Sequence, residues 1–146
     1  MRILLLNGPN LARLGYRQPE IYGSTTLAEL EARAAAHAAR RGAELAALQS
    51  NHEGALIDRL DRLDYDGLVI NPGALGHTSI ALRDAVAGIE RPAIEVHISN
   101  VFEREPYRHV LLLEEVVIGQ VIGRGIDGYL EAIDMLLDHL AGRTAR

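Results

Sequence analysis

The sequence predicts an α/β domain built on a five-stranded parallel sheet with helices on both faces. Three observations lead there. Short apolar runs alternate with amphipathic stretches along the chain. The runs Ile3-Leu4-Leu5-Leu6 and Leu68-Val69-Ile70 are continuously apolar, as strands covered on both faces must be. The length, 146 residues, is that of one domain whose core needs no covalent staples.

Ile3 to Leu6 is the first strand, stopped by Asn7-Gly8-Pro9-Asn10. A connection of about 18 residues follows, Gly8 to Thr25, where about two to six are usual. It carries Arg13, Tyr16, Arg17, Tyr22, Gly15 and Gly23, and reads as a lid over a site. Thr26-Leu27-Ala28-Glu29 is a capping box, and the Ala-rich helix it opens should close at Gly42. Glu44 to Gln49 is a weaker strand. Ser50-Asn51-His52-Glu53 reads as a second capping box, with Leu56, Ile57, Leu60 and Leu63 at helical spacing behind it. Leu68 to Ile70 is a strand ending at Asn71-Pro72-Gly73, and a helix runs from about Ser79 to Ala87. Ala93 to Ile98 and Val116 to Ile122 are β-branched strands, and Asp127 to Leu140 is a closing amphipathic helix. Phe102 to Glu115 is polar and then apolar and fits no period. Five strands and about five helices in this length give a flavodoxin-like, doubly wound fold, with residues 1–146 as a single domain.

Composition removes several chemistries. There is no Cys, so no disulfide and no thiolate nucleophile or ligand. All 15 basic residues are Arg, so neither a lysine Schiff base nor a phosphate-loop lysine is possible. A net charge of −5 argues against general nucleic-acid binding. No apolar run approaches the roughly 20 residues that span a membrane, and Met1-Arg2 leads into no cleavage site, so a cytoplasmic protein is expected. No histidine pair has a zinc spacing, so no metal site is expected.

In open parallel sheets, ligands bind beyond the carboxyl ends of the strands. Asn7-Gly8-Pro9-Asn10, Asn71-Pro72-Gly73 and His97 to Asn100 all fall there, with His77 and Thr78 opening the next helix. Glu95 and His97, two apart on a strand, share a face. Glu95 can accept from one imidazole nitrogen and leave the other for acid–base work; a structural histidine is the alternative. His37 and His139 read as surface residues, and Arg33, Arg40, Arg41, Arg59 and Arg62 as a solvated face. Arg13, Arg17, Arg104 and Arg108 lie in loops near the site and point to an anionic small ligand. Tyr22 is a packing anchor or a base; ionising a phenol at pH 7 costs about 4 kcal/mol, part of which an adjacent guanidinium such as Arg17 can recover.

Together these residues resemble one family. Asn7-Gly8-Pro9-Asn10-Leu11, Leu14-Gly15, Arg17, Pro19 and Tyr22-Gly23 are similar to the N-terminal signature of type II 3-dehydroquinate dehydratases. The likeness continues through Gln49-Ser50-Asn51-His52-Glu53-Gly54, Ile70-Asn71-Pro72-Gly73-Ala74, His77-Thr78-Ser79, Ala81-Leu82-Arg83-Asp84, Glu95 to Asn100 and Gly128-Tyr129. The resemblance implies anti elimination of water from 3-dehydroquinate through an enolate, without cofactor or metal. It implies Tyr22 as base, Arg17 favouring its phenolate, His97 as acid oriented by Glu95, and Asn10 holding a water against the enolate oxygen. Asn71, His77, Asp84, Ile98, Ser99 and Arg108 match substrate-binding positions. The implied partners are the anionic substrate and other copies of the chain, in a dodecamer of trimers. Biosynthetic and quinate-degrading roles use the same reaction.

The departures are local: Leu75-Gly76, Phe102-Glu103, His109-Val110-Leu111 and Arg124 replace commoner residues, which bears on the site wall and on subunit contacts. Two other readings compete. A phosphate-dependent protein would want a glycine-rich loop that Asn-Gly-Pro-Asn is not. A flavin or signalling module would want stacking rings or clustered acids after the first strand, and this chain has no Trp and one Phe.

Overall fold

Five strands, β1 (Arg2–Asn7), β2 (Glu44–Gln49), β3 (Gly67–Asn71), β4 (Ala93–His97) and β5 (Gly119–Ile122), form one sheet in the computed structural model, which describes residues 1–142. The pairings are all parallel, in the order β2-β1-β3-β4-β5. That is the doubly wound, flavodoxin-like order expected, with its topological switch between β1 and β3. The expected domain extends to Arg146; residues 143–146 lie outside the described residues.

Strand alternation splits the core. Ile3, Leu5 and Val69 face α2 (Leu27–Arg40) and α6 (Asp127–Leu140), while Leu4, Leu6, Leu68 and Ile70 face α3 (Glu53–Leu60) and α5 (Ile80–Gly88). The Thr26 cap forms: its Oγ1 accepts from Glu29 N–H at 3.2 Å and donates to Glu29 Oε1 at 3.1 Å, so the carboxylate meets the hydroxyl and not the Thr26 N–H of a full capping box. Gly42 follows the helix at φ 76°, a conformation that glycine adopts without strain.

Five expectations change. Ser50 and Glu53 form no capping box. Ser50 Oγ instead accepts from His52 N–H at 3.0 Å, and the Glu53 carboxylate takes the Ser79 hydroxyl across to α5. α3 stops at Leu60, and Leu63 lies beyond it, 44% exposed at φ 50°. The fifth strand is shorter than expected, because Val116 and Val117 turn back onto Leu113 before pairing begins at Gly119. A separate turn of helix, α4 (Leu75–Thr78), holds His77 and Thr78 ahead of α5, whose cap is Ser79. His37 and Arg41 are also not plain surface residues: both bond to Asp134 at 2.9 Å and tie α2 to α6.

The long first connection contains a 3-10 turn (Leu11–Arg13) and one short helix, α1 (Pro19–Tyr22). Phe102 to Glu115 is built of 3-10 turns and bends, with Leu111 and Leu113 buried.

Candidate active site

Two strand ends and the first connection converge on one cavity of about 170 Å³. Asn10, Arg13, Arg17 and Tyr22 come from the first connection, Asn71 and Gly73 from the end of β3, and His77 from α4. His97, Ile98 and Ser99 come from the end of β4, and Arg104 and Arg108 from the turns after it. This is the carboxyl edge of the sheet at its switch point, where open α/β sheets bind ligands.

Close backbone approach shapes the floor. A side chain on Gly8 would place its Cβ 2.3 Å from the Pro72 carbonyl, so only glycine lets the first and third loops meet. Gly8 N–H donates to Asn71 O at 2.8 Å. Asn10 adopts φ 71°, a left-handed conformation that asparagine tolerates, and Asn51 Oδ1 accepts from its N–H at 2.9 Å. Gln49 Nε2 in turn donates to Asn51 Oδ1 at 3.1 Å.

Two ion-supported pairs face the cavity. His97 is buried, and its Nε2 meets Glu95 Oε2 at 2.7 Å; an acceptor-only carboxylate there makes Nε2 the donor and leaves Nδ1 for the ligand. Glu95 is wholly buried, and its other oxygen accepts from Gln120 Nε2 at 2.7 Å. The second pair is Tyr22 with Arg104. Arg104 Nη1 donates to Tyr22 Oη at 2.6 Å, its guanidinium carbon lies 5.6 Å from the ring centre, and the same nitrogen reaches Ser99 Oγ at 3.3 Å.

His77 Nδ1 donates to Val110 O at 2.8 Å, and its ring stacks on that of His97 with centroids 5.9 Å apart. Burial pushes His77 below the ordinary imidazole range, against the pull of the Val110 bond; His97 and Arg108 reinforce the drop. It therefore presents a neutral Nε2 acceptor. Arg108 is anchored through Nε to Glu105 at 2.7 Å, with its other nitrogens left for an anion. Arg13, Arg17, Arg104 and Arg108 line the cavity and, among the described residues, no carboxylate does, in a chain of net charge −5. That is an anion site. Among the described residues no three His, Asp or Glu side chains converge as a metal site would require.

The structure brings together Asn10, Arg17, Tyr22, Asn71, His77, His97, Ile98, Ser99 and Arg108, with Glu95 behind His97. It does not bring Asp84, which lies on α5, 64% exposed in its side chain and paired with Arg83 at 3.1 Å. Arg104, not Arg17, touches the Tyr22 hydroxyl. Gln120 carried no sequence signal: it sits on an edge strand, and only the parallel register of β4 with β5 sets it opposite Glu95.

The family model for dehydroquinase class II matches residues 1–137. A 3-dehydroquinate dehydratase of Anoxybacillus flavithermus is 54% identical over 98% of this chain and 98% of its own length. A catabolic 3-dehydroquinase of Aspergillus oryzae is 54% identical over 99% and 95%. The crystal structure of a type II dehydroquinase from Butyrivibrio crossotus superposes with a TM-score of 0.92 at 47% identity, covering 94% of this chain and 97% of that one.

Proposed function

The chain belongs to the class II dehydroquinase family, and we propose that this cavity removes water from 3-dehydroquinate to give 3-dehydroshikimate, as a hydro-lyase. The observation that carries the reading is the pairing of Tyr22 with Arg104 and of His97 with Glu95 on one arginine-lined cavity. The cavity offers a base with charge stabilisation, an acid with a fixed tautomer, and a cationic wall for the substrate carboxylate.

In the first step Tyr22, as phenolate, takes the C2 proton, which is acidic because it lies α to the C3 ketone. The C–H electron pair becomes the C2–C3 double bond, and the ketone oxygen becomes an enolate. Arg104 stabilises the phenolate before transfer, and Asn10, through a water, serves the enolate oxygen. In the second step the enolate re-forms the ketone, the C1–C2 double bond forms, and the C1 hydroxyl departs with a proton from His97. Water and the enone leave, and the proton held by Tyr22 returns to the acid through solvent. Glu95 accepts from Nε2–H, so the proton His97 delivers is the one on Nδ1 of its imidazolium form, which the step leaves as the neutral ring. Asn71, His77, Ile98, Ser99 and Arg108 bind substrate, and Arg17 closes the lid over it.

The reading extends to one catalytic unit over residues 1–146 in the cytoplasm, acting on the shikimate pathway or, by the same reaction, in quinate breakdown. The active form is a homo-oligomer, a dodecamer built from trimers. Asp84 supports this part: it matches a substrate-binding position but lies outside its own chain's cavity, so it reaches substrate in a neighbour's site. No described helix is long and apolar enough to cross a membrane.

The test is direct. Purified protein mixed with 3-dehydroquinate in chelator-treated buffer should give the ultraviolet absorbance of the conjugated enone. No absorbance change would contradict the reading.

A further inference from the structure

Tyr129 on α6 is wholly buried, and so is Asn7 at the end of β1. The sheet register sets Asn7 beside Asn71 across the switch point, and strand alternation turns both toward the α6 face. The three side chains form a line. Asn71 Nδ2 donates to Tyr129 Oη at 2.8 Å, and Tyr129 Oη donates to Asn7 Oδ1 at 2.7 Å.

The direction of this line is fixed from outside it. Gly73 N–H lies 3.1 Å from Asn71 Oδ1, and a backbone N–H can only donate, so the amide oxygen of Asn71 must face Gly73. Its nitrogen must then face Tyr129, whose hydroxyl accepts and passes its own hydrogen to Asn7. Burial pushes the Tyr129 phenol well above its ordinary range, so the hydroxyl keeps that hydrogen at any working pH. One consequence is visible at the far end: Asn7 Nδ2 is buried without a partner. Reversing every bond would give that nitrogen an acceptor but would strip Gly73 N–H of its own. A buried unpaired donor in a native fold calls for a reason, and the orientation of Asn71 supplies one. With Oδ1 on Gly73 and one Nδ2 hydrogen on Tyr129, the second Nδ2 hydrogen is the amide hydrogen left for a ligand in the cavity.

We propose that Tyr129 and Asn7 are positioning residues that, with Gly73 N–H holding Oδ1, fix the Nδ2 end of the Asn71 amide so that it presents a donor, and so selects a substrate oxygen that accepts. This rests on the reading of the cavity as the dehydration site. Asn71 handles no proton in that reaction, so its contact is the same in the ground and transition states. Losing it weakens binding without slowing chemistry.

Tyr129→Phe removes one oxygen and keeps the ring. Asn7→Leu keeps the tyrosine and removes its acceptor, so the hydroxyl that accepts from Asn71 Nδ2 loses its fixed direction. Each should raise KM for 3-dehydroquinate about 3- to 10-fold with kcat within about two-fold. The double variant should match either single one, because all three changes break the same line. In the unaltered protein, nitrogen-15 NMR should show the Asn71 Nδ2 hydrogens inequivalent, one protected from exchange; this arm stands if a variant does not fold. Unaltered KM in folded variants, additive effects in the double variant, or two freely exchanging Asn71 hydrogens would overturn the proposal. If the unaltered protein forms no enone, the reading of the site fails first, whatever the NMR shows.

Discussion

Tyr22 and Arg104 lie 82 residues apart in sequence and share a hydrogen bond of 2.6 Å. Because a guanidinium on the phenol oxygen acts where charge resides, Arg104→Ala should lower kcat by about 10²–10³ while the melting temperature stays near that of the parent. Steady-state kinetics beside thermal unfolding separates the two. Arg17→Ala should also cost orders of magnitude in turnover, but through lid closure, since Arg17 lines the cavity without touching Tyr22 Oη. Gln120→Leu leaves one oxygen of the buried Glu95 carboxylate unpaired, and kcat should fall several-fold with KM little changed. An unchanged kcat would remove Gln120 from the acid's support. The Glu95–His97 pair was legible in the sequence because strand period alone puts residues two apart on one face. Arg104 was legible only as a loop arginine near the site. Its segment has no apolar period, and its partner is chosen by how the turns after β4 fold over the first connection.

At the level of elements, the site depends on two loops meeting at Gly8. Gly8→Ala would drive a Cβ against the Pro72 carbonyl, so it should destabilise the fold by about 1–3 kcal/mol and lower activity more than stability, because both loops line the cavity. Urea unfolding and turnover of one preparation check it. On the far side, the Asp134 clasp joins α6 to α2. Burial pushes that carboxyl up, but hydrogen bonds from Arg41 and His37 more than offset it, so it sits below its ordinary value of 3.8. A lowered folded-state value gives stability that is present above 3.8 and lost as pH falls below it. Asp134→Asn should therefore cost about 0.5–1 kcal/mol at pH 7, a small effect because the side chain is 44% exposed, and nothing near pH 2. A penalty that persists at pH 2 would mean packing, not charge. The continuous apolar strands and the Thr26 cap were legible because each is encoded locally. The apparent cap at Ser50 was not a cap, because Glu53 found a tertiary partner in Ser79, and no local pattern reports that contact.

The whole molecule carries net negative charge yet gathers four arginines on one cavity, which draws an anion to a single place on an otherwise repelling surface. Fold class was readable from the alternation of apolar strands with helices, and the reaction from the family resemblance that the motifs carry. The placement of Asp84 was not: it lies on α5, outside the cavity and paired with Arg83, and no local pattern reports that. An assembled species twelve times the chain mass, with activity lost on dissociation, is expected from light scattering and assay of the same fractions. Under the proposed reaction Tyr22 and His97 divide the two proton transfers, and hydrogen exchange at C2 of the substrate separates them. Substrate recovered from His97→Ala in deuterated water should carry deuterium at C2 while product formation falls steeply, because the base can still form and reprotonate the enolate. Tyr22→Phe should show neither exchange nor product. Exchange catalysed by Tyr22→Phe, or its absence in a His97→Ala protein that binds substrate, would contradict the assignment.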